Sequence, residues 1–362
     1  MFYYFLYPLN DIWFGFNVFK YITFRASMAA VTSFAICVIF GPFIIKHLRA
    51  LNVGQFVRKK HVDALSSFLK DKEGTPTMGG LLIIASVLVS VLAWGRLSND
   101  YLLLVLGGMV WLGMVGFADD FMKLRNKSAR GVKAATKLTG QIIIALIVGI
   151  FVVKNQALGS DLYLPFMKNA AVNLGIFYVL FILVVIVAAS NAVNLTDGLD
   201  GLAIGCVIFI TLTYAIICYI TGHADISKYL HVFYLPGAGE LTVFCAALTG
   251  AGLGFLWFNS HPATLFMGDT GALSIGGSVG IVSILVKKEV LLLIVGGVLV
   301  MEALSVILQV CSFKMTKKRI FLMAPIHHHF QEKGWHESKI TVRFWIIAAI
   351  LALIGMVTLK VR

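Results

Sequence analysis

The chain has 362 residues, of which 59% are hydrophobic and only 13% are charged. Soluble domains carry about 25% charged residues, so this composition excludes an ordinary soluble protein and indicates several passes through a membrane. The formal net charge of +13 does not require a nucleic-acid partner, because membrane proteins collect Lys and Arg in their cytoplasmic loops. We therefore expect an all-α polytopic membrane protein that binds no nucleic acid.

Apolar runs along the chain predict about ten transmembrane helices, each near the ~20 residues needed to cross the hydrocarbon core. The expected spans are 23–45, 76–95, 101–118, 136–153, 172–190, 201–221, 240–258, 266–286, 290–311 and 341–359. Arg25 and Glu302 fall inside spans. Glu302 either serves a site, pairs with Arg25 or bonds a neighbouring helix. The sequence shows no internal repeat, which favours a single domain over residues 1–362.

The distribution of positive charge predicts the orientation of the chain. Ten spans place both termini on one side. The loops 46–75, 119–137, 190–200, 259–269 and 312–343 hold twenty Lys and Arg residues, whereas the other loops and both tails hold nine. The richer side is cytoplasmic by the positive-inside rule. Both termini are therefore expected outside.

Five polar clusters fall on the predicted cytoplasmic face. They are 72–80 (KEGTPTMGG), 118–123 (ADDFMK), 194–202 (NLTDGLDGL), 266–273 (FMGDTGAL) and 324–334 (APIHHHFQEKG). A transporter is expected to place such groups near mid-membrane. Their collection at one surface predicts an active site at the cytoplasmic face.

The stretch 190–202 combines Asn194, Asp197 and Asp200 with no Lys or Arg. Carboxylates at a membrane surface without a basic neighbour favour a metal or a cationic ligand. On a helix, Asp197 and Asp200 would share one face. The alternative is a helix start with Asp197 as its N-cap.

Two further acidic sites lie at predicted span ends. Asp119 and Asp120 close the third span, where a solvated helix end is the alternative to a functional pair. Asp269 opens the eighth span beside glycines, a setting that suits phosphate or a metal–phosphate unit. Helix capping by Asp269 would also explain its position.

The histidine run His327, His328 and His329 lacks the separated spacing that zinc sites prefer. With basic residues nearby it suits anionic phosphate. More positive charge on this face comes from Lys72, Lys123, Lys127, Lys133 and Lys137, although topology alone would account for most of these lysines. Clustered acids, basic groups and a lipid-facing location together favour phosphoryl transfer between a soluble phosphate ester and a lipid phosphate.

The motifs GTPTMGG, ADD, NLTDGLDGL, MGDTGAL, APIHHHF and RFWII occur in this order across nearly the whole chain. They closely resemble those of the phospho-N-acetylmuramoyl-pentapeptide transferases (the MraY family), in the polyprenyl-phosphate N-acetylhexosamine-1-phosphate transferase superfamily. One departure is Gln331, where the family often has an acid. The resemblance implies a homodimer of ten-helix subunits in the bacterial cytoplasmic (inner) membrane, dependent on Mg²⁺.

The resemblance also implies a reaction, the transfer of phospho-MurNAc-pentapeptide from UDP-MurNAc-pentapeptide to undecaprenyl phosphate, giving lipid I and UMP. A sister family that moves GlcNAc-1-phosphate to the same lipid is the nearest alternative, and the APIHHHF motif favours the first. A transporter or flippase is the alternative from another class. The absence of repeats and the one-sided polar clusters oppose it.

Residue roles carried over by motif complete these expectations. Asp269 would ligate Mg²⁺, while Asp119 and Asp120 would serve the lipid phosphate, one of them as a base. The nucleoside pocket would comprise Lys72, Asn194, Asp197, Gly198, Leu199, Asp200 and Phe266, with Gln309 nearby. Phosphate or sugar would be held by Lys127, Lys137, His327, His328 and His329, with His327 also among the catalytic residues.

Overall fold

The computed structural model describes residues 1–50, 74–126, 131–166 and 171–360. Within these ranges, nine helices are long and apolar enough to cross a membrane. Only helices satisfy their backbone polar groups within one segment, which is why apolar spans fold this way in lipid. The expected all-α polytopic fold is confirmed.

The helices, in chain order, are α1 Phe2–Leu6, α2 Ile22–Ala50, α3 Gly80–Trp94, α4 Asp100–Arg125, α5 Ala134–Lys154, α6 Phe177–Thr196, α7 Leu202–Gly222, α8 Ala224–Leu230, α9 Glu240–Asn259, α10 Gly268–Leu285, α11 Glu289–Val295, α12 Gly297–Thr316, α13 Ile326–Glu332 and α14 Glu337–Val357. Two 3₁₀ segments, Tyr7–Asp11 and Phe14–Lys20, follow α1. One antiparallel hairpin joins β1 Asp161–Tyr163 to β2 Ala171–Asn173.

The second expected span, 76–95, is shorter in the structure. The Gly79 N–H donates to the Phe266 carbonyl at 2.8 Å, and the Phe266 N–H donates to the Pro76 carbonyl at 2.8 Å. This pairing holds residues 76–79 in a non-helical segment in which Met78 has a φ of 72°, so α3 begins only at Gly80. Its 15 residues give about 22 Å of helix, less than the ~30 Å hydrocarbon core.

Two other expected spans also differ. The span 172–190 begins later, because residues 171–173 belong to β2 and α6 starts at Phe177. The span 290–311 is divided into α11 and α12 at Gly296. Both differences come from backbone features that hydropathy does not report.

The helix α10 is the buried centre of the bundle. Every residue from Thr270 to Leu285 is buried, and α10 packs mainly against α4 and α6. Its many glycines and serines let neighbouring backbones approach closely. A Cβ atom at Gly116 of α4 would lie 2.3 Å from the Asp269 carbonyl oxygen. The end of α4 is therefore pressed against the start of α10.

The partner of Arg25 is an acid that the sequence did not single out. The Arg25 guanidinium bonds both oxygens of Glu240, at 2.6 and 2.7 Å, and also donates to the Trp94 carbonyl. Glu302 is fully buried and contacts His327 instead. The alternative in which Glu302 pairs with Arg25 is therefore wrong.

Cysteine labelling tests the predicted orientation of the termini. We expect a Ser338→Cys variant to react only from the cytoplasm and an Asp225→Cys variant only from outside; both positions are exposed. Gly222 is unsuitable as a probe position, because a Cβ there would lie 2.3 Å from the Gly239 nitrogen. The exposed native Cys311 is first replaced by Ser. Reaction of Asp225→Cys from the cytoplasm alone would contradict the orientation.

Candidate active site

Three carboxylates meet where α4 ends and α10 begins. Asp119, Asp120 and Asp269 each offer an oxygen within 4.8 Å of the others, and the first two are 1% and 3% exposed. The Lys123 Nζ lies 2.6 Å from Asp119 Oδ2 and 3.2 Å from Asp269 Oδ1. The Lys137 Nζ lies 3.0 Å from Asp119 Oδ2 and also bonds Asp269. A solvated helix end is therefore the wrong interpretation of Asp119 and Asp120.

Asp120 uses its carboxylate to cap α10 from the neighbouring helix. Its Oδ2 accepts hydrogen bonds from the Thr270 N–H at 2.9 Å and the Thr270 hydroxyl at 2.7 Å. Its Oδ1 accepts from the Asp269 N–H at 3.2 Å. Met267, at the N-cap position of α10, makes no side-chain cap. Asp120 therefore satisfies backbone donors that α10 leaves open, and its charge complements the positive end of the helix dipole.

Asp119 and Asp269 have different surroundings from Asp120. Asp119 accepts from the Val132 N–H at 2.8 Å through Oδ1 and turns Oδ2 toward both lysines. Asp269 is the second residue of α10, not its N-cap, so the capping interpretation of Asp269 is wrong. Its side chain is 15% exposed, which leaves it the most accessible carboxylate of the three.

The donor set of this cluster fits a hard divalent cation. Mg²⁺ prefers carboxylate oxygens over nitrogen or sulfur ligands. Three carboxylates against two ammonium groups leave one negative charge uncompensated within the cluster. Asp120 is engaged with the backbone of α10, and Asp119 is engaged with the Val132 N–H and both lysines. The more exposed Asp269 is therefore the residue that would hold such an ion.

Asp200 belongs to a separate network. Its Oδ2 accepts from the Ala263 N–H at 3.1 Å and lies 3.0 Å from His261 Nδ1. Its backbone N–H donates to the Glu337 carboxylate at 2.6 Å. Asp200, His261 and Glu337 also come within 4.8 Å of one another, but these bonds already link them to one another and to the backbone. The network therefore braces the turn that contains Asp200.

The turn between α6 and α7 differs from both sequence interpretations. Asp197 is the C-cap of α6, and Gly201, with φ 72°, is the N-cap of α7. Asp197 is therefore not an N-cap, and Asp197 and Asp200 do not share a helix face. The Asn259 side chain accepts from the Gly201 N–H at 3.1 Å and donates to the Leu265 carbonyl at 2.9 Å. It thus ties this turn to the segment that enters α10.

Two of the three histidines contact polar side chains. His327 is fully buried, and its Nδ1 lies 3.1 Å from Glu302 Oε2. The His328 Nδ1 lies 2.6 Å from Gln331 Oε1. The first contact ties the short helix α13 to α12, whereas the second lies within α13.

The third histidine and Gln309 hold the loop between α12 and α13. His329 Nδ1 accepts from the Leu322 N–H at 3.1 Å. Burial, and then the Lys333 ammonium, lower the pKa of the His329 imidazole, which agrees with a neutral ring that accepts this bond. Gln309 donates to the Phe321 carbonyl and accepts from its N–H, both at 2.9 Å. The Gln309 amide is thus already hydrogen-bonded to the loop, and it would have to leave these bonds to contact a ligand.

The structure brings the expected residues together in groups. Asp119, Asp120, Asp269 and Lys137 form one cluster, while Gly198 contacts His327 and Phe266 pairs with residues 76–79. Asn194 and Asp197 are half-buried and Leu199 is buried in or beside the α6–α7 turn. Lys72 and Lys127 lie outside the described residues.

Several side chains of the site stand out only in the structure. The charge distribution makes Lys123 one of several surface cations, although its position four residues after Asp119 predicts a contact on one helix face. Asn259, His261 and Glu337 are not among the predicted site residues. These three carry no local signal, because their partners lie far away in sequence.

Removing the Asp120 carboxylate should destabilise the fold. Asp120→Ala leaves three donors at the start of α10 without a partner, two of them in buried bonds, which should cost about 1–3 kcal/mol. Thr270→Val removes only one of those donors and should cost less. Thermal denaturation in detergent measures both. A wild-type midpoint for Asp120→Ala would show that α10 does not depend on this cap.

Comparison with known proteins agrees with the motifs. The family model for glycosyl transferase family 4 matches residues 102–287, and the phospho-N-acetylmuramoyl-pentapeptide-transferase signature 1 matches residues 72–84. The chain is 52% identical over 363 residues to the phospho-N-acetylmuramoyl-pentapeptide-transferase of Desulfotalea psychrophila. It is 50% identical over 365 residues to that of Thermodesulfovibrio yellowstonii. Both alignments cover 100% of each chain. The chain belongs to the phospho-N-acetylmuramoyl-pentapeptide-transferase family.

Proposed function

We propose that this protein transfers phospho-MurNAc-pentapeptide from UDP-MurNAc-pentapeptide to undecaprenyl phosphate, giving lipid I and UMP for peptidoglycan synthesis. The observation that carries the proposal is the cluster of Asp119, Asp269, Lys123 and Lys137 at one end of a membrane bundle. Joining two anionic phosphates requires fixed positive charge and well-placed carboxylates. The full-length similarity to transferases of this name supports the same reaction.

The chemistry exchanges one phosphate bond for another. An oxygen of the lipid phosphate attacks the β-phosphorus of the UDP ester, the bond from that phosphorus to the bridging oxygen breaks, and UMP leaves. Mg²⁺ held by Asp269 would neutralise phosphate charge. Lys123 and Lys137 would bind phosphate oxygens beside the carboxylates. A phosphate is already nucleophilic at pH 7, so direct attack needs fewer groups than a phospho-aspartate intermediate.

Asp119 is the better candidate for the base that acts on the lipid phosphate. Asp120 directs both oxygens to the start of α10, whereas Asp119 directs Oδ2 to the two lysines. The two adjacent acids therefore have different roles. Asp120 positions α10, and Asp119 faces the reacting groups.

An apolar groove supports a lipid substrate. It has a volume of about 370 Å³ and is lined by α6, α7, α10, α11 and α12, with Ala188, Val279 and Leu304 among its walls. Gly276 and Val193 also line it, and Gly276 lies two turns along α10 from Asp269. A polyprenyl chain in this groove would lead its phosphate toward the carboxylate cluster. The homodimer and the outward termini belong to the same proposal.

The decisive experiment is UMP release by purified protein given UDP-MurNAc-pentapeptide, undecaprenyl phosphate and Mg²⁺. Release that depends on all three supports the transferase. Release from UDP-GlcNAc instead would indicate the sister reaction. Movement of unmodified lipid across liposomes, without UMP release, would indicate a flippase.

Asp269→Asn should lower turnover at least about 100-fold and leave the fold intact. Asn keeps the size of the side chain but removes the charge that a divalent cation needs. UMP release across an Mg²⁺ titration measures the effect, with thermal stability as the check on folding. Asp225→Asn, at an exposed acid of α8, is the matched control and should keep wild-type activity. Normal turnover of Asp269→Asn at ordinary Mg²⁺ would remove the metal role.

The pH profile should separate Asp119 from Asp120. The second ionisation of a phosphate monoester lies near ~6, so below that pH a base must remove the last proton. Asp119→Asn should therefore lose most activity below pH ~6 and recover partly as the substrate ionises at higher pH. Asp120→Asn should lose activity evenly, because its role is positional. A flat loss for Asp119→Asn would argue against a base.

A further inference from the structure

The buried pair of Glu302 and His327 is not accounted for by the proposed chemistry. Glu302 lies in α12 with no exposed surface, and the His327 side chain is 1% exposed. The Nδ1 of His327 lies 3.1 Å from Glu302 Oε2. An acid within a membrane span is costly and usually has a function. The pair joins that acid to the APIHHHF motif.

The geometry fixes which nitrogen of His327 faces Glu302. A carboxylate only accepts hydrogen bonds, so the proton of His327 lies on Nδ1 when the ring is neutral. A carboxylate that binds one ring nitrogen sets the tautomer and the orientation of the other. Nε2 is therefore the nitrogen left for a second partner. It accepts when the ring is neutral and donates when the ring is protonated.

The second nitrogen lies against the α6–α7 turn. His327 Nε2 is buried and has no hydrogen-bond partner among the described residues. A Cβ atom at Gly198 would lie only 2.3 Å from it, so only glycine fits at this position. Buried polar atoms are rarely left without a partner. An unpaired nitrogen beside this turn indicates that it pairs when the site is occupied.

We infer that Glu302 is a positioning residue for the transfer reaction, acting through His327 by directing Nε2 at the Gly198 turn. The inference rests on the proposed function for the identity of the reaction. Glu302 itself touches no substrate. Its contribution is to hold one nitrogen of His327, so that the other meets a substrate hydroxyl or phosphate oxygen at the turn.

A double-mutant cycle tests this coupling. Glu302→Gln keeps the side-chain shape but allows either tautomer of His327, and it should lower kcat/KM by about 10–100-fold, as loss of an orienting carboxylate does elsewhere. In a His327→Ala background the same change should add almost nothing, because its route of action is gone. Multiplicative losses from the two changes would overturn the inference.

A matched control separates positioning from simple stability. Glu240 is also a buried acid within the bundle, but it pairs with Arg25. Glu240→Gln should lower thermal stability, keep kcat/KM per folded enzyme, and act additively with His327→Ala. Equal coupling of Glu240 and Glu302 to His327 would show that the cycle reports only on folding, and would also overturn the inference.

A spectroscopic readout does not depend on activity. In wild-type protein, ¹⁵N chemical shifts of His327, assigned by difference from His327→Ala, should show a protonated Nδ1. A proton on Nε2 alone would overturn the inference, even if Glu302→Gln fails to fold. Failure of UMP release in wild type with the expected shifts would instead refute the proposed function and leave the Glu302–His327 contact standing.

Discussion

The Asp120 carboxylate sets the relation between α4 and α10, and the site is arranged around that contact. A helix begins with open backbone donors and the positive end of its dipole, and α10 has no capping side chain of its own. Its cap comes from α4, one turn beyond Gly116, where the two backbones approach closely. Packing and capping therefore act at the same place. They hold Asp119 over Asp269 with the two lysines between them.

A second group of buried charges in the described bundle is fully compensated, unlike the carboxylate cluster. Arg25 and Glu240 compensate each other at the opposite end of α4, where the Arg96 N–H also donates to Glu240. In that pair each charge is compensated by the other. Removing one partner would leave a buried charge uncompensated, at a cost of several kcal/mol. The carboxylate cluster has one charge more than its lysines neutralise. It is therefore the place where a cation or a phosphate can change the pairing.

Hydropathy predicted the spans, because a backbone in lipid must satisfy its own polar groups and therefore forms helices. The distribution of charge predicted the polar clusters. The non-helical conformation of residues 76–79 could not be predicted, since their partner Phe266 lies far along the chain. Asp119 and Asp120 are the same residue type side by side. Only what lies opposite them, lysines for one and Thr270 for the other, distinguishes their roles. The partner of Glu302 was likewise a matter of tertiary packing, with Arg25 a reasonable but wrong candidate.

The burial of α10 also bears on how the protein is made. Among the nine described candidate spans α10 has the lowest hydropathy, since glycine and serine replace the larger apolar side chains. A segment of this kind enters lipid weakly by itself. Its main neighbours, α4 and α6, precede it in the chain and are therefore synthesised first. We therefore expect α10 to insert against a helical surface formed by α4 and α6, so that changes to α4 or α6 affect membrane insertion as well as the finished fold.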